Sequence, residues 1–305
     1  MPVVRLTRAQ WDEKVRKEKL EAEAAKVKED NRSPLGIDEA STLYKELGVE
    51  DVFTKEVGQG DLNTHNPDSE KGVRIFIATD GKAMKRAELA LEYSIKKHAS
   101  GPVDIEWMDE ERGEPAWTGW NRKKWYTRFT CFRFAIPELS GFKGRTIYVD
   151  VDQLFLDDIY ELINLPIPED KALLALNWVR TDVMVVDNAK FKNFDWWPSV
   201  EEMKASGMKA KDYLHLIKEH DIVGHLPNEW CCNDGKGYER EKTKLLHFTE
   251  MKTQPFKPYP KGWKSWKFDY PPHPHQESAR IWWEYYAEAL EDKFDLNYQI
   301  QYHTK

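Results

Sequence analysis

The chain has 305 residues, of which 46 are basic and 53 acidic, giving a formal net charge of −7. This balance, without a long basic run, does not favour non-specific binding to nucleic acid. The three cysteines are an odd number and two are adjacent, so we predict no disulfide framework and a reducing, cytoplasmic setting. The charged N-terminal stretch has no apolar signal core, and no apolar run is long enough to span a bilayer.

Residues 1–70 differ from the rest of the chain and predict a charged helical extension that ends in a linker. A capping box at residues 7–10 opens a first helix, whose apolar face is thin. A second helix follows Asp38, and the polar, glycine-containing stretch 58–72 predicts the linker. The first helix would either lie solvated on the main domain or dock a partner, including a second copy of the chain.

The main domain is predicted over 71–275, and a C-terminal helical segment over 276–305. Runs of β-branched and apolar residues predict strands at 73–78, 103–107, 146–149, 172–176, 183–186 and 245–247. Helical spacing predicts a helix after the first strand, a helix closed by Pro137, helical parts of 192–226 and a last helix over 278–290. Because strands alternate with helices, the sequence predicts an α/β layered fold with a mostly parallel sheet.

The strand at 146–149 runs straight into Asp150, Val151 and Asp152. Residues two apart in extended chain point the same way, so both carboxylates aim at one point beyond the strand. In α/β sheets this carboxyl end is where ligands bind. Two adjacent carboxylates repel each other unless a cation lies between them. The pattern therefore predicts a divalent metal site that holds a phosphate-bearing ligand.

The sequence around this acidic pair resembles the GT-A glycosyltransferases of the glycogenin and lipopolysaccharide galactosyltransferase family (family 8). The segments that carry the likeness are 126–129, 135–139, 147–152 and 156–162. In that family an arginine-bearing helix ends at a proline, and a short loop then leads to a strand and the acidic pair. The resemblance covers about residues 73–260, and it implies a Rossmann-like mixed sheet flanked by helices, here with an N-terminal helical extension.

The resemblance also implies a set of ligand contacts. His247 would complete a metal site with Asp150 and Asp152, a ligand set that suits Mn²⁺, with Mg²⁺ as a substitute. Lys252 would meet the donor phosphates, with Lys257 as the alternative. The full set of implied nucleotide-sugar contacts is Ala78, Thr79, Asp80, Arg128, Asp150, Val151, Asp152, His247 and Lys252.

Several of these positions have plainer alternatives from the sequence alone. Asp80 would then cap the following helix, Arg128 would form a surface salt bridge, and His247 would be a structural residue. For catalysis, Asp182 and Asp234 are candidates to face the anomeric carbon or the acceptor hydroxyl, and Arg128 to stabilise charge. Each aspartate is otherwise a turn residue. The Asp-Gln pair that many relatives carry between these motifs is not evident in the chain.

The resemblance implies a hexosyltransferase that moves a sugar from a nucleotide donor, a UDP-sugar, to a hydroxyl acceptor with retention of configuration. The acceptor would be a carbohydrate, a protein or another hydroxyl compound. Retention would use a front-face mechanism, or Asp182 as nucleophile. A sugar nucleotidyltransferase is a rival, although it would need a glycine-rich basic loop after the first strand. A second rival is a catalytically silent carbohydrate-binding or scaffolding module on the same fold.

Overall fold

The computed structural model describes residues 72–121, 125, 127–206, 209–235, 238–251, 253–257 and 273–293. The predicted N-terminal extension over 1–70 and the predicted phosphate ligand Lys252 lie outside these residues. The division into an extension, a main domain and a C-terminal segment therefore stays a prediction.

Nine strands and seven α-helices are found in the described part of the chain. The strands are β1 (Val73–Ala78), β2 (Val103–Met108), β3 (Arg145–Asp150), β4 (Gln153–Phe155), β5 (Leu173–Ala175), β6 (Val183–Asp187), β7 (Val223–His225), β8 (Cys232–Asn233) and β9 (Leu245–His247). The helices are α1 (Lys85–His98), α2 (Ile136–Leu139), α3 (Ile159–Ile163), α4 (Asn188–Phe191), α5 (Val200–Ala205), α6 (Ala210–Glu219) and α7 (Gln276–Lys293). All six predicted strands and the last helix are confirmed, with small differences at their ends.

The central sheet has six strands in the order β2-β1-β3-β6-β5-β7. Strand β1 pairs in parallel with β2 and β3, and β5 pairs in parallel with β7. Strand β6 is antiparallel to both of its neighbours, so the prediction of a mostly parallel sheet is corrected to a mixed one. The connection over 176–182 is too short for the crossover that a parallel pair requires. The predicted α/β class, a mixed sheet flanked by helices, is confirmed.

The antiparallel direction of β6 has a positional effect. Val149 lies opposite Val183, so β6 begins at the edge of the sheet where β3 ends. The residues just before β6 are therefore brought to the edge that carries the acidic pair.

A second, three-stranded sheet has the order β4-β9-β8. Strand β4 starts directly after the acidic pair, and its first residue, Gln153, lies opposite His247 of β9. The Phe248 N–H donates to the carbonyl of Asp152 at 2.9 Å. This pairing brings His247 close to the two aspartates, although almost a hundred residues separate them in sequence.

Alternate side chains of the central strands enter two apolar clusters, as expected for strands buried on both faces. Ile75 and Ile77 of β1 belong to the first cluster, whereas Phe76 belongs to the second. Helix α7 contributes Trp282 and Tyr286 to the first cluster, with the two rings stacked at a centroid distance of 5.0 Å. The C-terminal helix is thus part of the core that covers one face of the sheet.

The helix that was predicted to close at Pro137 is built differently. A 3-10 helix over Thr130–Ala135 leads into α2, and Pro137 lies in the first turn of α2. Proline is tolerated there because the first N–H groups of a helix have no intrahelical partner. Arg128 lies in a bend ahead of this segment and not on a helix.

Within the described residues, no helix combines the length and apolar character that crossing a membrane requires.

Replacement of Trp282 by alanine is expected to lower the free energy of unfolding by about 3–5 kcal/mol, because it leaves a large cavity between α7 and the sheet. Trp282 is 1% exposed. The adjacent Trp283 is only half-buried, so Trp283→Ala serves as a control with a smaller loss. Urea unfolding followed by circular dichroism measures both, and equal losses would contradict the packing described here.

Candidate metal centre

Three predicted metal ligands meet at the carboxyl edge of the central sheet. One ligand atom from each of Asp150, Asp152 and His247 lies within 4.8 Å of the others. Asp150 is the last residue of β3, Asp152 lies in the turn to β4, and His247 ends β9. Asp150 therefore comes from the central sheet and His247 from the small sheet, and Asp152 lies in the turn that joins the two sheets.

The Asp150 carboxylate is held by two residues that the sequence analysis did not assign. Arg133 Nη2 donates to its two oxygens at 2.9 and 3.2 Å, and the Tyr148 hydroxyl donates to Oδ1. The Arg133 guanidinium also lies 4.6 Å from the centre of the Tyr148 ring, a cation–π contact. Burial raises the pKa of Asp150 to about 6, helped by the Asp152 charge and opposed by Arg133.

The imidazole of His247 lies between two carboxylates. Its Nδ1 is 2.8 Å from Asp182 Oδ2, and its Nε2 is 3.2 Å from Asp152 Oδ1. Burial lowers the pKa of His247, but the two carboxylates outweigh it and raise that pKa to about 10. A hydrogen bond that fixes one ring nitrogen of a metal-binding histidine leaves the other for the metal, and here the fixed nitrogen is Nδ1.

The residues present fit a divalent cation. Asp152 Oδ1 is buried, and none of the described residues makes a hydrogen bond to it, although His247 Nε2 is near. A buried carboxylate oxygen without a hydrogen bond is costly unless a cation satisfies it. Two carboxylates and one imidazole form a mostly oxygen ligand set, which suits Mn²⁺ or Mg²⁺. The cluster has the donor chemistry and the spacing of a metal site.

Asp182, a predicted catalytic residue, is a partner of His247. Arg180 donates two hydrogen bonds to its carboxylate, from Nε to Oδ1 at 2.9 Å and from Nη2 to Oδ2 at 3.1 Å. Burial raises the pKa of Asp182, but Arg180 and His247 hold it well below the usual range. Both carboxylate oxygens are thus engaged, so the environment is that of a fixed anion supporting His247 and differs from that of a nucleophile.

Asp234, the other predicted catalytic residue, is a structural anchor in this fold. Its side chain is fully buried and accepts hydrogen bonds from the Thr249 N–H and hydroxyl, both at 3.0 Å. His273 Nε2 lies 2.8 Å from its Oδ2. The Ser278 hydroxyl of α7 donates to its carbonyl at 3.0 Å. Asp234 therefore joins β8, the loop after β9 and α7, and its role at the reacting carbon stays a prediction.

Arg128 pairs with Asp80 at a distance of 3.8 Å between Nη1 and Oδ1. Asp80 makes no side-chain cap to the 3-10 turn that follows it, so the alternative of a helix cap is wrong. Strand pairing places Ala78 opposite Asp150, so the Asp80–Arg128 pair lies at the same sheet edge as the metal ligands. Both side chains of this pair stay partly exposed.

Three other predicted ligand contacts, at the ends of β1 and β3, make contacts within the protein. Ala78 and Val151 are fully buried, and the Val151 N–H donates to the Ala78 carbonyl at 3.0 Å. The Thr79 hydroxyl donates to buried Glu88 at 2.8 Å. These three side chains shape the sheet edge from within the core, and the ligand contacts that the resemblance implies for them stay predictions.

The loop after β9 adds two polar groups near Asp152. Gln254, which the sequence analysis did not assign, donates from Nε2 to Asp152 Oδ2 at 3.1 Å. Lys257, the alternative phosphate ligand, is largely buried and donates to the Met251 carbonyl at 3.1 Å. Burial lowers the pKa of Lys257, while the Asp152 charge raises it. The Lys257 ammonium is therefore within the electrostatic reach of the metal ligands.

Two residues of the site that were not predicted, Arg133 and Arg180, share one signal in the sequence. Arg133 is a single charge inside the otherwise apolar segment 131–136, and a buried charge requires a partner. The same argument applies to Arg180, which lies three residues before the buried strand β6. Periodicity alone could not identify the partners, since these lie far away in sequence.

No protein-family model matches the chain. A curated relative, Protein CDI of Arabidopsis thaliana, is 33% identical over 228 residues, which make up 63% of this chain and 85% of the relative.

Three solved structures with a related fold are glycosyltransferases. The bifunctional WbbM, in its apo form, has a TM-score of 0.46 and 16% identity, covering 61% of this chain and 47% of WbbM. GlyE of Streptococcus pneumoniae TIGR4 has a TM-score of 0.46 and 15% identity, covering 73% of this chain and 63% of GlyE. The galactosyltransferase LgtC, solved with donor and acceptor sugar analogues, has a TM-score of 0.45 and 12% identity, covering 71% of this chain and 96% of LgtC. The chain spans less than two thirds of the first two.

Replacement of Asp234 by asparagine is expected to lower the free energy of unfolding by about 3 kcal/mol, because it removes one partner of a buried ion pair with His273. Asp195 is an exposed carboxylate, so Asp195→Asn is the matched control and should change stability by less than about 0.5 kcal/mol. Urea unfolding measures both variants. An Asp234→Asn protein as stable as the wild type would show that the anchor role is wrong.

Proposed function

The chain belongs to the same family as Protein CDI of Arabidopsis, and we propose that it is a metal-dependent glycosyltransferase of the GT-A, family 8-like class. It would transfer a hexose from a UDP-sugar to a hydroxyl acceptor, with retention of configuration. The observation that carries the proposal is the cluster of Asp150, Asp152 and His247, a divalent-cation ligand set at the ligand-binding edge of an α/β sheet.

In this proposal the cation, Mn²⁺ or Mg²⁺, is held by the Asp150 and Asp152 carboxylates and by His247 Nε2. When bound, it supplies Lewis-acid stabilisation of the leaving diphosphate. Arg133 fixes Asp150 through a two-oxygen contact, and Gln254 fixes Asp152. Lys257, which interacts electrostatically with Asp152, adds positive charge near the cluster. These fixed charges favour a developing negative charge because they need no reorganisation during the reaction.

The partly exposed Asp80–Arg128 pair marks the place for the nucleoside and the donor diphosphate. It lies at the end of β1, beside the end of β3 that carries Asp150. A nucleotide lying across these two strand ends would place its diphosphate over the metal ligands. The predicted charge-stabilising role of Arg128 is kept in this proposal for the nucleotide side of the site.

Among the described residues near the cluster, each buried carboxylate considered as a nucleophile is already engaged. Asp182 is held by Arg180 and His247, and Asp234 by Thr249 and His273. This arrangement supports a front-face reaction for retention, in which the acceptor hydroxyl proton passes to the leaving phosphate oxygen. The bond to the acceptor oxygen then forms on the face from which the diphosphate departs.

The same engagement of Asp182 and Asp234 favours one second candidate, a module that binds a nucleotide sugar without turnover. The two candidates differ in a single measurement, the metal-dependent hydrolysis or transfer of a donor sugar. A panel of UDP-hexoses, incubated with Mn²⁺ and analysed for released UDP, is expected to identify one donor. UDP binding without turnover of any donor, even when candidate acceptors are added, would favour the binding module.

Asp152→Asn is expected to abolish Mn²⁺-dependent UDP binding, because it removes the charge of a carboxylate that faces the cation. Calorimetric titration of UDP, first with Mn²⁺ and then with EDTA, measures the effect. The exposed Asp195→Asn variant controls for the change of one charge and should bind UDP as the wild type does. Unchanged binding by Asp152→Asn, or wild-type binding that EDTA leaves intact, would contradict the metal site.

A further inference from the structure

Three consecutive residues before β6, Arg180, Thr181 and Asp182, contact both halves of the metal centre. We call them the loop bracket. Thr181 and Asp182 are 2% and 7% exposed, so these two residues are shielded from solvent. From the sequence alone, Asp182 is the only candidate in this segment, and it is predicted to be catalytic.

The first contact orients the histidine ligand. The Asp182 carboxylate accepts a hydrogen bond from His247 Nδ1 at 2.8 Å and two more from Arg180. Because Nδ1 is occupied, the ring must offer Nε2 to the cluster. A carboxylate behind a metal-binding histidine also makes the ring a better electron donor.

The second contact reaches the aspartate ligand through an arginine. The Thr181 hydroxyl accepts from Arg133 Nη1 at 3.1 Å, while Nη2 of the same guanidinium holds Asp150. A guanidinium is planar and rigid, so fixing one nitrogen restricts the direction of the other. Thr181 therefore acts on Asp150 without touching it.

The backbone of the bracket is itself tied to the turn that carries the acidic pair. The Asp182 carbonyl accepts from Gln153 Nε2 at 2.8 Å and from the Asp150 N–H at 3.3 Å. Arg180 Nη2 also donates to Asn233 Oδ1 of β8 at 3.0 Å. These contacts link the central sheet to the small sheet on either side of the ligands.

We propose that the loop bracket is a positioning element that sets the relative orientation of Asp150 and His247 for a divalent cation. Asp182 and Thr181 are its positioning residues, one for each half of the centre. The inference rests on the metal-binding part of the proposed function and is independent of the donor sugar or the acceptor.

The test measures metal binding on the full chain, without any sugar. Mn²⁺ affinity is determined by calorimetry for the wild type, Asp182→Asn and Thr181→Val. Thr146→Val is the matched control, because Thr146 is also buried and hydrogen-bonded, but to Asn188 near the opposite end of β3. We expect Mn²⁺ affinity to fall about 10–100-fold in Asp182→Asn and about tenfold in Thr181→Val. The control should retain wild-type affinity.

A spectroscopic measurement separates positioning from a general loss of stability. Co²⁺ substituted for Mn²⁺ gives visible absorption bands that report the coordination geometry. These bands should shift in Asp182→Asn and Thr181→Val and should be unchanged in Thr146→Val. If Asp182→Asn does not fold, Thr181→Val, which removes a hydroxyl at nearly constant volume, carries the test alone.

Wild-type Mn²⁺ affinity and Co²⁺ spectra in Thr181→Val and in any folded Asp182→Asn would overturn the inference and leave the proposed function intact. A wild type that binds Mn²⁺ but not UDP would remove the proposed function, while reduced Mn²⁺ affinity in both variants would still support the bracket. A wild type that binds no divalent cation would overturn both.

Discussion

Three carboxylates, those of Asp150, Asp152 and Asp182, are grouped around His247 at one edge of the central sheet, and the rest of the site follows from balancing their charge. A buried carboxylate without a partner costs several kcal/mol, so each needs a cation nearby. Asp150 has Arg133, Asp182 has Arg180, and His247 lies between Asp182 and Asp152. Asp152 Oδ1 alone has no hydrogen bond among the described residues. In the proposed function, a divalent cation would offset the negative charge that remains at this edge.

Two features of chain direction make this balance possible. Strand β6 runs against its neighbours, so its first residues, and not its last, lie at the edge where β3 ends. Strand β9 belongs to a separate small sheet that starts from the turn after the acidic pair. A uniformly parallel sheet would have placed Asp182 at the opposite edge. The antiparallel direction of β6 therefore brings Arg180 and Asp182 to the candidate metal ligands.

The sequence predicted the parts of this site that depend on local pattern. Buried strands show themselves through β-branched runs, and the acidic pair at the end of such a run predicted where ligands meet. The resemblance to a known family supplied His247. What it could not supply was the set of long-range partners. A charge in an apolar segment marks Arg133 as a residue that needs a partner, but the sequence does not say which one. Arg128 was predicted from the family resemblance, and Arg133, five residues later, was not considered. Asp182 and Asp234 were predicted as catalytic candidates from their positions in family-like segments, and the structure adds their burial and their partners, which the sequence does not reveal.

The anchoring of Asp234 connects helix α7 to the candidate metal centre. The Asp234 N–H donates to the His247 carbonyl at 2.9 Å, and its own carbonyl accepts from Ser278 of α7. Asp234 thus connects His247, a candidate metal ligand, with helix α7 through two hydrogen bonds of its backbone. Free energies of two such events are linked reciprocally: if cation binding tightens the docking of α7 by some factor, docking of α7 tightens cation binding by the same factor. Helix α7 would in this sense be a thermodynamic partner of the candidate site, although none of its described residues belongs to the cluster of ligands.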